Sequence, residues 1–136
     1  MYEKPFSLEI IAPDRVVYQG EATSVSAPGA LGGFQVLYNH APLLSLLRIG
    51  QMTVKETSGA DTVFATSGGY LEVRANNVVV LVETAERAVD IDHDRARAAR
   101  ERAEGRLKSH DPSVDMVRAE AALARALNRL HCASHR

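Results

Sequence analysis

Five arginines, Arg95, Arg97, Arg100, Arg102 and Arg106, crowd the stretch "VDIDHDRARAARERAEGR" behind three aspartates. On an ideal helix Asp92, Arg95, Ala99 and Arg102 fall on one face, at i, i+3, i+7 and i+10. Further on, Arg118, Ala122, Arg125 and Arg129 do the same at i, i+4, i+7 and i+11. Guanidinium groups are permanently charged planar forks that fit carboxylates and phosphates. If the two faces border one cleft, four to five guanidiniums converge, and an anion or partner acids must fill the gap. In the alternative both faces are solvated, with local pairs such as Arg97–Glu101 and Arg100–Glu104. Spacing alone leaves both open.

Other chemistry is thinly represented. No Walker-type phosphate loop, zinc-protease motif, nucleophile elbow or cysteine pair occurs. His131, Cys132 and His135 lie close together but lack a fourth ligand, so no metal site is expected. His40, in "LYNHAP", has no nucleophile or carboxylate partner nearby and reads as a structural or contact histidine on a loop. Gly68-Gly69 is not followed by a helix, and reads as a turn or bulge between strands rather than a phosphate loop. No catalytic residues are assigned.

The elements that must position the arginines follow from periodicity. "FSLEI" alternates Phe6, Leu8 and Ile10 against Ser7 and Glu9, the period of a half-buried strand. "RVVYQG", "EATSVSAPG", "GGFQV", "LLSLL", "IGQMTVKET", "TVFATSGGYLEV" and "VVVLVETAE" continue the pattern, with Asn76-Asn77 as a hairpin tip. The spacing predicts an α+β chain. Residues 1–86 form an antiparallel β-sandwich of about eight to ten short strands, and 87–136 an antiparallel two-helix hairpin. The first helix is expected from an Asp90 cap to about Lys108, and the second from Pro112 to about Leu130. The inner faces are alanine-rich: Ile91, Ala96, Ala99, Ala103 and Leu107 on one helix, and Met116, Ala119, Leu123, Ala126 with Leu127, and Leu130 on the other. Such seams permit close approach but bury little area, so the hairpin is expected to be marginal alone and to dock on the sandwich or a partner.

Charge follows the same division. The formal net charge is −1, divided into −4 before Arg87 and +3 from Arg87 onward. That excess is too mild to suggest nucleic-acid binding. The longest apolar run, Val78–Val82, is far too short to span a bilayer, and the first residues lack a signal-peptide core. One cysteine excludes an internal disulfide framework and is compatible with a reducing compartment.

Three stretches carry a family resemblance. "GGFQVLYNHAPLLSLL", "ATSGGYLEVRANNVVVLVETAERA" and the helical pair "DIDHDRARAARERAEGRL" with "RAEAALARALNRL" resemble the epsilon subunits of bacterial F-type ATP synthases, counterparts of the mitochondrial delta subunit. The resemblance covers Phe6 to Leu130. It implies a non-catalytic central-stalk subunit joining the gamma subunit to the rotor ring of c subunits. It also implies a hairpin that folds on the sandwich or extends along gamma. Extended, the hairpin meets the alpha and beta subunits and inhibits ATP hydrolysis. Placement as a peripheral part of the complex, on the cytoplasmic face of the bacterial inner membrane and without direct insertion, follows from it. No cofactor is required. In some members ATP, with or without magnesium, binds the folded hairpin through an "[IL]DxxRA" signature, present as Ile91, Asp92, Arg95 and Ala96. Matching in register adds Glu86, Arg102, Arg125 and Arg129. The alternative is the same stalk role with no nucleotide bound. Gly33, Asn39 and His40 match the family's partner-contact loop, where Gly33 replaces a frequent acid, Gln35 a frequent glycine and Tyr38 a frequent proline.

Overall fold

The computed structural model describes residues 4–134. Among them are seven strands, β1 (Phe6–Ala12), β2 (Arg15–Gly29), β3 (Gly32–Val36), β4 (Leu43–Glu56), β5 (Asp61–Arg74), β6 (Asn77–Val82) and β7 (Ala85–Arg87). A 3₁₀ turn at Ala88–Asp90 leads to α1 (His93–Lys108) and α2 (Met116–Ala133). The count falls below the eight to ten expected because several predicted pairs are single long strands. β2 absorbs both "RVVYQG" and "EATSVSAPG", and β4 absorbs "LLSLL" with "IGQMTVKE".

The sheet order is β1-β6-β5-β4-β2-β3, and β2 also pairs with β1, which closes the sheet on itself. One part of β2 pairs β1, and its later residues pair β4 and β3, so the strand bends from one layer to the other. Pairing is antiparallel except for β1 beside β6, which run parallel. The interior between the layers is filled by large side chains, Phe64, Leu8, Ile10, Met52, Leu71 and Val80 among them, all fully buried.

Local geometry shifts three expected boundaries. The β5–β6 tip is Ala75-Asn76, both at positive φ (49° and 63°), one residue before the expected pair. Gly68 and Gly69 lie inside β5 rather than between strands, with φ of +95° and +149°. At Gly69 a Cβ would strike the Leu81 carbonyl, so the side chain is excluded by the neighbouring strand. α1 is capped by Asp92, not Asp90, because Ile91 is extended (φ −68°, ψ 125°) and buried. α2 is capped by Asp115, whose side chain accepts from the Arg118 N–H at 3.1 Å. Asp111-Pro112-Ser113 is spent on a turn before it. There the Asp111 carboxylate accepts from the Ser113 N–H (2.9 Å) and hydroxyl (2.8 Å), bonds that hold its pKa below the usual value.

The hairpin docks on the outside of the sandwich through a second, smaller core. Ala65, Ala88, Ile91, Ala96, Cys132 and Ala133 form it, with Val63 and Leu130 at its margin. Alternation along β5 makes this possible: Phe64 points into the sandwich, while Val63 and Ala65 lie under the helices. α2 continues past Leu130 to Ala133 because Cys132 and Ala133 have buried places waiting.

Candidate functional site

Between the hairpin and the sandwich lies a cleft of about 460 Å³. Its floor is β5 and the segment Thr84–Glu86, carrying the hydroxyls of Thr66, Ser67 and Thr84. Its far wall is α2, through Ala122, Arg125, Ala126, Asn128 and Arg129; α1 contributes Ala99. Alanines on both helices leave a slot where larger residues would meet.

The polar groups are held by identifiable bonds. Arg129 donates from Nε to one Glu86 oxygen at 2.9 Å and from Nη2 to the other at 3.3 Å, a two-pronged pair. The two side chains are only 28% and 34% exposed, so this pair is less screened than those on the helix surface. Asn128 Nδ2 donates to the Gly50 carbonyl at 3.0 Å and the Thr66 carbonyl at 3.4 Å, pinning α2 to β4 and β5. Cys132 lies one turn further, its thiol 3.6 Å from Asn128 Oδ1. Burial pushes the Cys132 thiol up from 9.0 to about 11. Arg15, at the start of β2, donates from Nη2 to the Ala85 carbonyl at 3.0 Å and also lines the cleft. Three guanidiniums, Arg15, Arg125 and Arg129, therefore share the cleft with one carboxylate, Glu86. The Arg125 guanidinium makes no hydrogen bond or ion pair among the described residues. The cleft is a cationic recess with room for a phosphate-bearing molecule, within the size range of small-molecule sites.

The sequence-predicted residues divide by position. Glu86, Arg125 and Arg129 line the cleft. Ile91 and Ala96 are buried in the small core, and Asp92 caps α1 by accepting from the Arg95 N–H at 3.1 Å. Arg95 and Arg102 are exposed on α1 and do not line the cleft. Arg100 pairs with Glu104 at 3.5 Å as the solvated reading expects. Arg97 instead reaches Asp94 at 4.0 Å and His93 at 3.2 Å rather than Glu101. His131 is exposed while Cys132 is buried, so they do not converge, and His135 lies outside the described residues. In the β3–β4 loop, Asn39 sits at φ 63°. Its N–H donates to Asn76 Oδ1 at 2.7 Å, and Asn76 Nδ2 returns a bond to Asn39 Oδ1 at 3.1 Å. His40 Nδ1 lies 2.7 Å from the Ala41 carbonyl, and Gly33 is exposed on β3.

Sequence reasoning missed Arg15 and Asn128. Arg15 stands 70 positions before the carbonyl it binds, so no local spacing announces it. Asn128 carried a faint signal, as the one amide beside the apolar stripe of α2.

Residues 5–88 match the β-sandwich domain of the ATP synthase delta/epsilon chain, and residues 90–134 match its long α-helix domain. The chain belongs to the ATP synthase delta/epsilon family. Membership accounts for a closed sandwich followed by a separate helical pair, with the family boundary falling at the 3₁₀ turn. An ATP synthase epsilon chain from Moorella thermoacetica is 50% identical over 127 residues, 93% of this chain and 95% of that one. In fold the chain is similar to one in the Euglena gracilis mitochondrial ATP synthase OSCP/F1/c-ring structure, with a TM-score of 0.84 and 24% identity. That match covers 96% of this chain and 82% of the other. A second likeness, in the Tetrahymena thermophila mitochondrial ATP synthase central stalk/c-ring structure, has a TM-score of 0.56 and 13% identity, covering 99% and 98%.

Proposed function

We propose that this chain is a non-catalytic central-stalk subunit of an F-type ATP synthase, coupling the gamma subunit to the rotor ring, and that its hairpin is a latch held closed by ATP. When open, the hairpin extends along gamma toward the alpha and beta subunits and inhibits ATP hydrolysis. The chain works peripherally, on the cytoplasmic face of the bacterial inner membrane. Among the described residues no helix is long and apolar enough to cross a membrane.

The latch reading is carried by one observation: the cleft is built from two bodies. Arg125 and Arg129 belong to α2, whereas Glu86 and the hydroxyl floor belong to the sandwich side. A ligand seated there contacts both only while the hairpin is docked. It binds one conformation better than the other, which is the thermodynamic requirement for a switch. At about 100 times its dissociation constant such a ligand stabilises the closed form by about 2.7 kcal/mol. The resemblance adds Ile91, Asp92, Arg95, Ala96 and Arg102 to this site. The first, second and fourth of these shape the start of α1, and the two arginines stand on its exposed face, outside the cleft lining.

A feature of the sandwich supports the stalk role. Cross-strand partners Leu46, Tyr70, Leu81, Ile11 and Val16 follow one another in register across β4, β5, β6, β1 and β2. Leu46, Tyr70, Leu81 and Val16 are each more than half exposed. A continuous apolar band of this kind marks an interaction face, and we assign it to gamma. Gly33, Asn39 and His40, at the β3 end, are assigned to the neighbouring partner contact.

Titration calorimetry of the chain with ATP–Mg tests the latch. Arg125→Ala and Arg129→Ala are each expected to weaken binding by roughly ten- to a hundredfold, the loss of a charge-assisted contact. Arg95→Ala and Arg102→Ala are expected to weaken it less. Heatless titration of the unaltered chain, or equal affinity in all four variants, leaves the stalk role without nucleotide.

A further inference from the structure

Arg15 is a sandwich residue that the hairpin faces but does not hold. It follows the Pro13-Asp14 turn between β1 and β2, and pairs with Ala12 across that turn. Its Nη2 donates to the Ala85 carbonyl at 3.0 Å, across 70 residues of sequence. Ala85 adjoins Glu86, which is gripped by Arg129 from the other side. The segment Ala85-Glu86 is thus clamped between a sandwich arginine and a hairpin arginine. A guanidinium has five N–H donors, and the carbonyl takes one of them. The remaining surface of Arg15 lines the cleft that Arg125 and Arg129 line from α2. Glu86 is the single acid there, and its two oxygens are already engaged by Arg129. The surplus positive charge therefore stands on opposite walls, one belonging to each body.

We propose that Arg15 is a ligand-binding residue, the sandwich's own cationic arm for the phosphate groups of the bound nucleotide. This rests on the nucleotide reading above and adds to it a bridge: the anion is held by Arg15 on one side and by Arg125 and Arg129 on the other. Arg15 stays with the sandwich when α2 leaves, so an open chain presents half a site. Closure restores the second half, and the phosphates connect the two.

The test uses the full chain, ATP–Mg and calorimetry at several salt concentrations. Arg15→Gln keeps an N–H for the Ala85 carbonyl but removes the charge. Expected is a dissociation constant about tenfold higher, from the loss of one charge-assisted contact, with a flatter salt dependence. The melting midpoint without nucleotide stays unchanged. Arg15→Lys, which keeps the charge, recovers most of the affinity. Wild-type affinity and salt dependence in Arg15→Gln overturn the proposal while leaving Arg125 and Arg129 in place. So does a loss of binding in both Arg15 variants matched by a fall in the unliganded midpoint, which marks a structural role. If the unaltered chain binds no nucleotide, or the Arg95, Arg102, Arg125 and Arg129 variants all bind as well as it does, the parent reading fails and takes Arg15 with it.

Discussion

The sandwich interior and the hairpin seam are equally dry but differently filled. Phe64, Leu8, Ile10, Met52 and Leu71 are fully buried in the first. In the second the buried groups are Ala96, Ala103, Ala119, Ala126, Cys132 and Ala133, with Ile91 the one large aliphatic side chain among them. Burying a large apolar side chain contributes about 1.5–3 kcal/mol, and a methyl-sized group about 0.8 kcal/mol. Similar burial therefore yields unequal adhesion. The sandwich is held by area, whereas the hairpin is held by a few directional contacts, chiefly Asn128 on two carbonyls and Arg129 on Glu86. A part held in this way can leave without disturbing what it sat on.

The contrast is most severely tested at Phe64. Its ring packs edge-on against Tyr18, with centroids 6.4 Å apart, and Arg87 lies 5.9 Å from its centroid. Phe64→Ala should cost about 3–5 kcal/mol of global stability, read as a lower denaturant midpoint with an unchanged slope. Loss confined to the helices would place the main core elsewhere. A smaller effect belongs to the seam. Asn128→Ala removes both carbonyl bonds and should weaken docking by about 1–3 kcal/mol. Hydrogen exchange should then quicken along α2 while β1, β2 and β6 keep their protection. Uniform quickening across both regions would make them one cooperative unit.

The smallest effect is a pH dependence at Cys132. Its burial raises the thiol from 9.0 to about 11, so the folded form binds this proton more tightly than the unfolded one. Its contribution to docking is thus complete below pH 9.0 and fades as pH climbs to about 11. At neutral pH an alkylating reagent should modify the folded thiol far more slowly than the unfolded one. The rate should rise steeply across the stated range, beyond what thiolate formation alone explains. A thiol as reactive as in the unfolded chain at neutral pH would show the seam already open.

Much of this was legible in the residues. Alternation in "FSLEI" placed Phe6, Leu8 and Ile10 inside, where all three are buried. The alanine stripes marked the seam between the helices. Strand number was misjudged because polar interruptions such as Gln19-Gly20-Glu21 look like turns, yet in β2 they pair in register with Glu9, Leu8 and Ser7 of β1, and the strand passes to β4 only from Ala22 onward. The second helix was started too early because Asp111-Pro112 satisfies the rules for a cap as well as those for a turn, and the Ser113 bonds decide for the turn.

By itself the sequence determined the two-part architecture, the family and the existence of two arginine faces, because periodicity fixes which residues share a side of a helix. Tertiary structure alone decided which arginines look inward. Helical spacing says nothing about how a helix is rotated on the sheet beneath it. That rotation follows from where Ala96 and Ala126 can bury and where Asn128 finds its carbonyls, which turns Arg125 and Arg129 to the cleft and Arg95 and Arg102 to the exposed surface. Only the folded chain brings Arg15 to the same place, because strand pairing, not sequence spacing, lays the β1–β2 turn beside Ala85.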